Sequence, residues 1–286
     1  MIKYRTITNM QKFNKENSFW YIFFLGFLVL IATSIGQMFS LPFFNNLIFS
    51  IIIPIIIPMG LMGYHAFFTL NIRRGLFLIV FAGLVGWFFE IIGLKYRTFF
   101  GGQYIYNTTI PLILDVPYAV VIFWSFFIYF GYTFTTSFLY WSHKDKPNKD
   151  NHKLFLLFVL ILMDGLTVTA IDLFMDPIQA KAGTWTWLQG GAYFGVPIGN
   201  FVGWFTVTVI VTSIFRIFEY FFPQKSTGAN KKFFLIPVIG YIILAFYYTA
   251  NAIYFELYGL IVVGLFLMLS MVTANLFYYF NSSKPS

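Results

Sequence analysis

The chain has 286 residues, 59% of them hydrophobic and 10% charged, against about 25% charged in an ordinary globular domain, so a soluble fold is excluded. It has no cysteine, which excludes disulfides, thiolate metal sites, iron–sulfur clusters and a cysteine nucleophile. The net charge of +8 comes from lysines and arginines in short segments between apolar runs, where they set membrane topology rather than bind nucleic acid; P-loop and dinucleotide-binding glycine patterns are also missing.

The apolar runs recur at membrane length, and eight spans are predicted at about 19–41, 46–70, 75–94, 116–141, 153–175, 196–221, 233–252 and 256–280. The first is too long for the apolar core of a cleavable signal peptide and has no small-residue cleavage site after it. The expected fold is all-α: one polytopic integral membrane helix bundle over residues 1–286, surrounded by lipid bilayer. With the N-terminus inside, every lysine and arginine except Lys95, Arg97 and Lys181 falls in an inner segment, Arg216 among them. Eight spans return the C-terminus to the same side, as expected for a multi-pass protein of the cytoplasmic membrane. Seven spans would leave Lys284 outside and the rest unchanged.

The acids are distributed the opposite way. Glu90, Asp115, Asp172, Asp176 and Glu256 fall at the outer ends of spans, and Asp164 lies about two turns deeper. Asp172 and Asp176 are four residues apart and share a helix face. Acids this close to a bilayer core are costly and point to function. They are followed by two tryptophans, Trp185 and Trp187, and a glycine-rich stretch suited to line a large, flat, apolar substrate.

The outer loops at 95–115 and 176–195, read as re-entrant or outer, are rich in aromatics and glycine and echo each other. Gly101-Gly102-x-Tyr104 matches Gly190-Gly191-x-Tyr193. Val116-Pro117 and Val196-Pro197 are each followed by a tryptophan seven residues past the proline, Trp124 and Trp204. An acid, Glu90 or Asp172, ends the preceding span in both. The echo reads either as a parallel repeat of helix, loop and helix, or as coincidence between aromatic-rich membrane loops.

These segments resemble the membrane-integral carotenoid hydratases, the CruF-type carotenoid biosynthesis proteins. The stretch Asp172-Leu173-x-x-Asp176-Pro177, Trp185-x-Trp187, Gly191-x-Tyr193-Phe194-Gly195-x-Pro197 and Asn200-Phe201-x-Gly203-Trp204 follows the family pattern closely. Glu90, Gly93, Gly102, Tyr104, Tyr106, Val116, Pro117 and Trp124 follow it more loosely, with Gly101 where the family carries an aromatic and Phe100 where it often carries proline. The motif core covers about 85–205. The resemblance implies addition of water to the terminal C1=C2 double bond of an acyclic carotenoid, giving a tertiary 1-hydroxy group. It also implies a cofactor-independent hydro-lyase with a carotenoid substrate, and neighbouring enzymes of the same pathway as partners.

Such a reaction needs a proton donor, tolerance of a tertiary carbocation and a positioned water. Asp172 and Asp176 are the candidate acids, since a low dielectric and a second carboxyl on the same face both resist full ionisation. The partner carboxylate or Glu90 is the candidate base. Trp185, Trp187, Tyr193, Asn200, Trp204, Tyr104 and Trp124 are the candidate substrate-binding residues, with ring faces to stabilise a cation. No metal is expected, because three scattered histidines have no ligand spacing.

Each residue also has a plainer reading. Asp176-Pro177 is a signal for the end of a helix, Glu90 is placed to pair with Lys95 or Arg97, and Asp115 before Val-Pro is placed to cap a helix. Asp164 fits a polar contact between helices as well as a proton relay, and Glu256 fits a cap in the last hairpin. Trp20, Trp87 and Trp141 fit interface anchors, and His65 a structural contact. Three other functions fit parts of the pattern. Asp172-x-x-x-Asp176 has the aspartate spacing of a Mg²⁺-dependent membrane prenyltransferase, but no second such pair exists. A lipid transporter or binding protein fits the repeat, and a carotenoid end-group cyclase would share the protonation step.

Overall fold

The computed structural model describes residues 2–44, 46, 48–108, 110–142, 150–223 and 231–281. Their main elements are eight α-helices: α1 (Ile2–Met38), α2 (Ile53–Thr69), α3 (Ile72–Tyr96), α4 (Tyr118–Ser142), α5 (Asp150–Ala182), α6 (Ile198–Phe221), α7 (Leu235–Tyr254) and α8 (Tyr258–Asn281). They stand where the eight runs were expected, and seven carry an apolar stretch long enough to cross a membrane. The exception is α2, whose 17 residues rise only about 26 Å against a hydrocarbon core of about 30 Å. A π-helical turn at Ile48–Ile52 precedes it and continues the apolar run. The protein is a polytopic helical membrane bundle, with large apolar side chains such as Phe88, Val262 and Phe266 on its outer surface.

The residues group into two compact units, Met1–Tyr64 and His65–Ser286. In the first, Phe19 stacks on Tyr64 with ring centroids 5.5 Å apart, and Gln37 donates a side-chain hydrogen bond to the Phe49 carbonyl at 2.7 Å. The second contains α3–α8. Here α5 packs against α4, α6, α7 and α8, which buries Asp164, Val168, Ile171, Asp172, Phe174 and Ile178 along its length.

The two aromatic- and glycine-rich loops contain short β-strands. Strand β1 (Tyr104–Tyr106) follows α3 and strand β4 (Trp185–Trp187) follows α5. They pair antiparallel, with Tyr104 opposite Trp187, Ile105 opposite Thr186 and Tyr106 opposite Trp185. Between β1 and α4, strands β2 (Leu112–Ile113) and β3 (Val116–Pro117) form a tight hairpin. Its two turn residues, Leu114 and Asp115, both have positive φ (51° and 66°), as a two-residue hairpin of right-handed strand twist requires. Asp115 is therefore a turn residue and not the cap of α4, which starts only at Tyr118. Gly101 sits at φ +77°, and a Cβ there would stand 2.7 Å from the Gly199 Cα. That close approach of the first loop to the start of α6 leaves no room for an aromatic at position 101.

Three further expectations are corrected. Pro177 does not end its helix: α5 runs on to Ala182, because a proline removes one N–H donor and the surrounding helices hold the backbone in place. Arg216 is not part of an inner basic segment. It lies within α6, 4% exposed, and pairs with fully buried Asp164, Nε to Oδ2 at 2.5 Å and Nη2 to Oδ1 at 2.7 Å. The Arg216 Nη2 also donates to Thr135 Oγ1 (2.6 Å), the Thr135 hydroxyl donates to Asp164, and the Tyr132 hydroxyl donates to Glu219 (2.5 Å). An apolar helix cannot leave an arginine unpaired, so it is turned inward onto an acid. Finally, Glu90 takes its hydrogen bonds from tyrosine and tryptophan, described below, rather than from Lys95 or Arg97.

His65 makes structural contacts, Nδ1 with the Tyr129 hydroxyl (2.8 Å) and Nε2 with the Phe233 carbonyl (3.2 Å). Trp87 Nε1 donates to the Ile113 carbonyl at 3.0 Å. Glu256, at φ 59°, occupies the turn between α7 and α8. His143, Asp145, Lys144, Lys146, Lys149, Lys225 and Lys284 lie outside the described residues, as do the side chains of Trp141 and His152.

Candidate functional site

The acids of the motif stand inside their helices, not at the ends. α3 continues six residues past Glu90, and α5 continues six past Asp176 and ten past Asp172. In the echo of the two halves, Glu90 therefore matches Asp176 in depth rather than Asp172. The β1–β4 ribbon lies over them. Because side chains alternate along a strand, Tyr104, Tyr106, Trp185 and Trp187 all fall on one face of the ribbon. Ile105 and Thr186 fall on the other face and are exposed.

That aromatic face supplies the donors for the acids. The Tyr104 and Tyr106 hydroxyls donate to Glu90 Oε2 at 2.6 and 2.7 Å, and Trp124 Nε1, from α4, donates to Oε1 at 2.9 Å. Trp185 Nε1 donates to Asp176 Oδ1. Asn200, in the first turn of α6, gives one amide hydrogen to Asp172 Oδ2 (2.8 Å) and the other to Asp176 Oδ2 (2.7 Å). One side-chain nitrogen thus ties the two aspartates together. Each half of the echo has the same plan: an acid one to two turns inside a helix, bonded by aromatics of the following strand and by a residue of the next helix.

The three carboxyls are 5%, 0% and 2% exposed, for Glu90, Asp172 and Asp176, and the donors they accept from are all neutral. Burial, and then the nearby charge of Glu90, pushes the Tyr104 and Tyr106 hydroxyls above the usual phenol range. Burial, and then Asp172, pushes Tyr193 up to about 12. All three remain O–H donors at any working pH. Three polar atoms at the site are buried without a hydrogen-bond partner: Asp172 Oδ1, Trp187 Nε1 and the Tyr193 hydroxyl.

The other candidates have clear places. Trp124 and Trp204, the matching tryptophans of the echo, stack face to face with centroids 3.8 Å apart and planes 17° off parallel. Both are buried, so their ring faces are largely taken up by each other. Tyr104 and Trp187 pack at 4.8 Å, and Tyr193 lies edge-on to Phe201 at 5.1 Å. All ten site residues named from the sequence are thus on α3, α4, α5, α6 or the loops at one end of the unit. Sequence reasoning missed Tyr106 as a site residue. The signal was its i+2 spacing from Tyr104, which on a strand puts both hydroxyls on one side.

A helical membrane bundle with three buried carboxyls, held by neutral donors under an aromatic ribbon, defines a polytopic membrane protein with a polar site enclosed at one end. The profile of the carotenoid biosynthesis proteins matches residues 48–271, well over half of the chain, and the chain belongs to that family. Searches of curated proteins and of solved structures returned no match.

Proposed function

We propose that this family member is a carotenoid hydratase, adding water across the terminal C1=C2 double bond of an acyclic end group to give a tertiary 1-hydroxy carotenoid. The observation that supports it best is the state of the three buried carboxyls. Both oxygens of Glu90 and of Asp176 already accept hydrogen bonds, whereas Asp172 Oδ1 accepts none. Asp172 is therefore the acid with an oxygen free to aim a proton at a substrate, in the role of general acid.

The proton passes from Asp172 to C2, the π pair forms the new C–H bond, and C1 becomes cationic. Proton transfer leaves a carboxylate on Asp172, so the cation forms as half of an ion pair. The faces of Trp187, Tyr104 and Tyr193 lie close by to stabilise it. Water bonds to C1 and a carboxylate of the aspartate pair takes its surplus proton. The step is redox-neutral, and the residues named here perform it without a metal, flavin or nicotinamide. In this reading Asn200 fixes the spacing of the aspartate pair, and Trp124 and Trp204 hold α4 against α6 behind the site. The ribbon faces the outer side of the cytoplasmic membrane, both termini face the cytoplasm, the carotenoid arrives from the bilayer, and other carotenoid-pathway membrane enzymes are the partners.

The test is expression in a host that accumulates an acyclic carotenoid, with pigment mass spectrometry in water labelled with heavy oxygen. The expected product is heavier than the substrate by one labelled water, and it forms equally well without dioxygen. Oxygen incorporated from labelled dioxygen would refute hydration, and a cyclised product of unchanged mass would mean the same acid serves a cyclase.

A further inference from the structure

Addition of water needs more than an acid. Once C1 is cationic it has two fates: capture by water, or loss of a proton from an adjacent carbon, which restores an alkene. An enzyme that makes alcohol must hold a water molecule in line with C1 before the proton moves.

The three unpartnered atoms at the site are of the right kinds for this. Trp187 Nε1 can only donate, Asp172 Oδ1 keeps a lone pair to accept with even while it carries its proton, and the Tyr193 hydroxyl does either. They come from three segments that converge on the aspartate pair. Trp187 is on β4, two residues from Trp185, which bonds Asp176. Tyr193 precedes α6, bridged to Val196 and packed against Phe201, the neighbour of Asn200, which bonds both aspartates. Tyr193 is a near neighbour of Asp172, and Trp187 lies beside Asp176 without a well-aligned hydrogen bond to it. Asp172 is fully buried and Trp187 8% exposed, and polar atoms this deep ordinarily have partners.

We propose that Trp187 Nε1, the Tyr193 hydroxyl and Asp172 Oδ1 together form the binding site for the water that is added to the substrate. This rests on the hydratase reading and assigns Trp187 and Tyr193 a role beyond lining the substrate site. The valences agree. Water accepts one hydrogen bond from the indole N–H and donates its two hydrogens to Tyr193 Oη and Asp172 Oδ1, so one lone pair stays free for C1. When that pair bonds to C1, the hydrogen facing Asp172 transfers to Oδ1. The same oxygen that gave the first proton is reprotonated, and acid and water site are reset together with no net proton left over.

The experiment uses the full-length protein in liposomes with an acyclic carotenoid, in deuterated water. The readout is the ratio of hydrated product to recovered substrate that has gained deuterium, which is the trace of a cation formed but not captured. Because the ratio is internal to one reaction, it does not depend on how much of a variant is folded. Tyr193→Phe keeps the ring against Phe201 and removes only the hydroxyl, and Trp187→Phe removes the indole N–H. Each is expected to lower the ratio about tenfold, the effect of one lost buried hydrogen bond. A ratio unchanged from wild type in both variants would overturn the water site while leaving the hydratase assignment intact. A wild-type protein that yields neither hydrated nor deuterated carotenoid would overturn the hydratase reading itself, and the water site with it.

Discussion

Arg216→Met tests how the bundle accommodates charge. Asp164 is fully buried, and its two oxygens accept from Arg216 Nε and Nη2 and from the Thr135 hydroxyl. The substitution keeps an unbranched apolar side chain in the space but removes both hydrogen bonds from Arg216 to the Asp164 carboxylate and the positive charge. At about 1.5–3 kcal/mol for each such bond, the loss agrees with the roughly 3–5 kcal/mol typical of breaking a buried ion pair from one side. For a unit of this size that is roughly a 10 °C fall in melting temperature. The contrast is Asp164→Leu combined with Arg216→Met, which removes the orphaned charge as well and should recover most of the loss, since a buried pair is often replaced by apolar residues at no net cost. Tryptophan fluorescence during heating in detergent reads both. A single variant that melts with the wild type, or a double variant no more stable than the single, would refute the claim that the two charges are held by each other.

At the site, Asp172→Asn and Asp176→Asn should each lower hydration at least ~10²-fold, the lower range for losing a general acid or base, with insertion and melting preserved. Glu90→Gln should cost less, because its hydrogen bonds from Tyr104, Tyr106 and Trp124 position a group rather than move a proton; near-normal turnover in the double Asp172/Asp176 variant would remove the site. A cysteine introduced at Lys181 in this cysteine-free chain should react with an impermeant reagent from the outer side, and labelling from the inner side alone would invert the proposed topology. The Tyr193 hydroxyl, pushed up to about 12, favours the folded state fully below pH about 10 and loses that contribution as pH rises toward 12. A spectroscopic titration should show Tyr193→Phe lacking a late tyrosinate signal, and an early one near the usual phenol value would contradict the burial.

The spans were legible because membrane-length apolar runs leave few alternatives. The echo was legible as letters, and the structure gives it a geometry: the matching tryptophans Trp124 and Trp204 stack on one another, and Tyr104 faces Trp187 across the ribbon. What stayed hidden lies between segments. Nothing local marks Arg216 as the partner of Asp164, 52 positions away; counting charges by loop assigns it to topology instead. Asp115 looked like a cap because Val-Pro preceded a helix, yet two positive φ angles at Leu114 and Asp115 make it a hairpin turn. Pro177 looked like a stop because proline usually is one, and neighbouring helices override that preference. The free oxygen of Asp172 was out of reach altogether, since it depends on where Asn200, Trp185, Trp187 and Tyr193 all point.

The pairing of β1 with β4 also bears on when the site forms. Asn107 and Thr186, bonded across the ribbon at 2.7 Å, are 79 positions apart, with α4 and α5 between them. A nascent chain must therefore deliver the helical hairpin of α4 and α5 before the ribbon can close, and a closure that distant in sequence comes late. Until then Tyr104 and Tyr106 have no strand beside them, and Asp172 and Asp176 wait for Asn200. Biogenesis thus places closure of the site late in assembly, so a partly synthesised chain holds its acids without the groups that bond them.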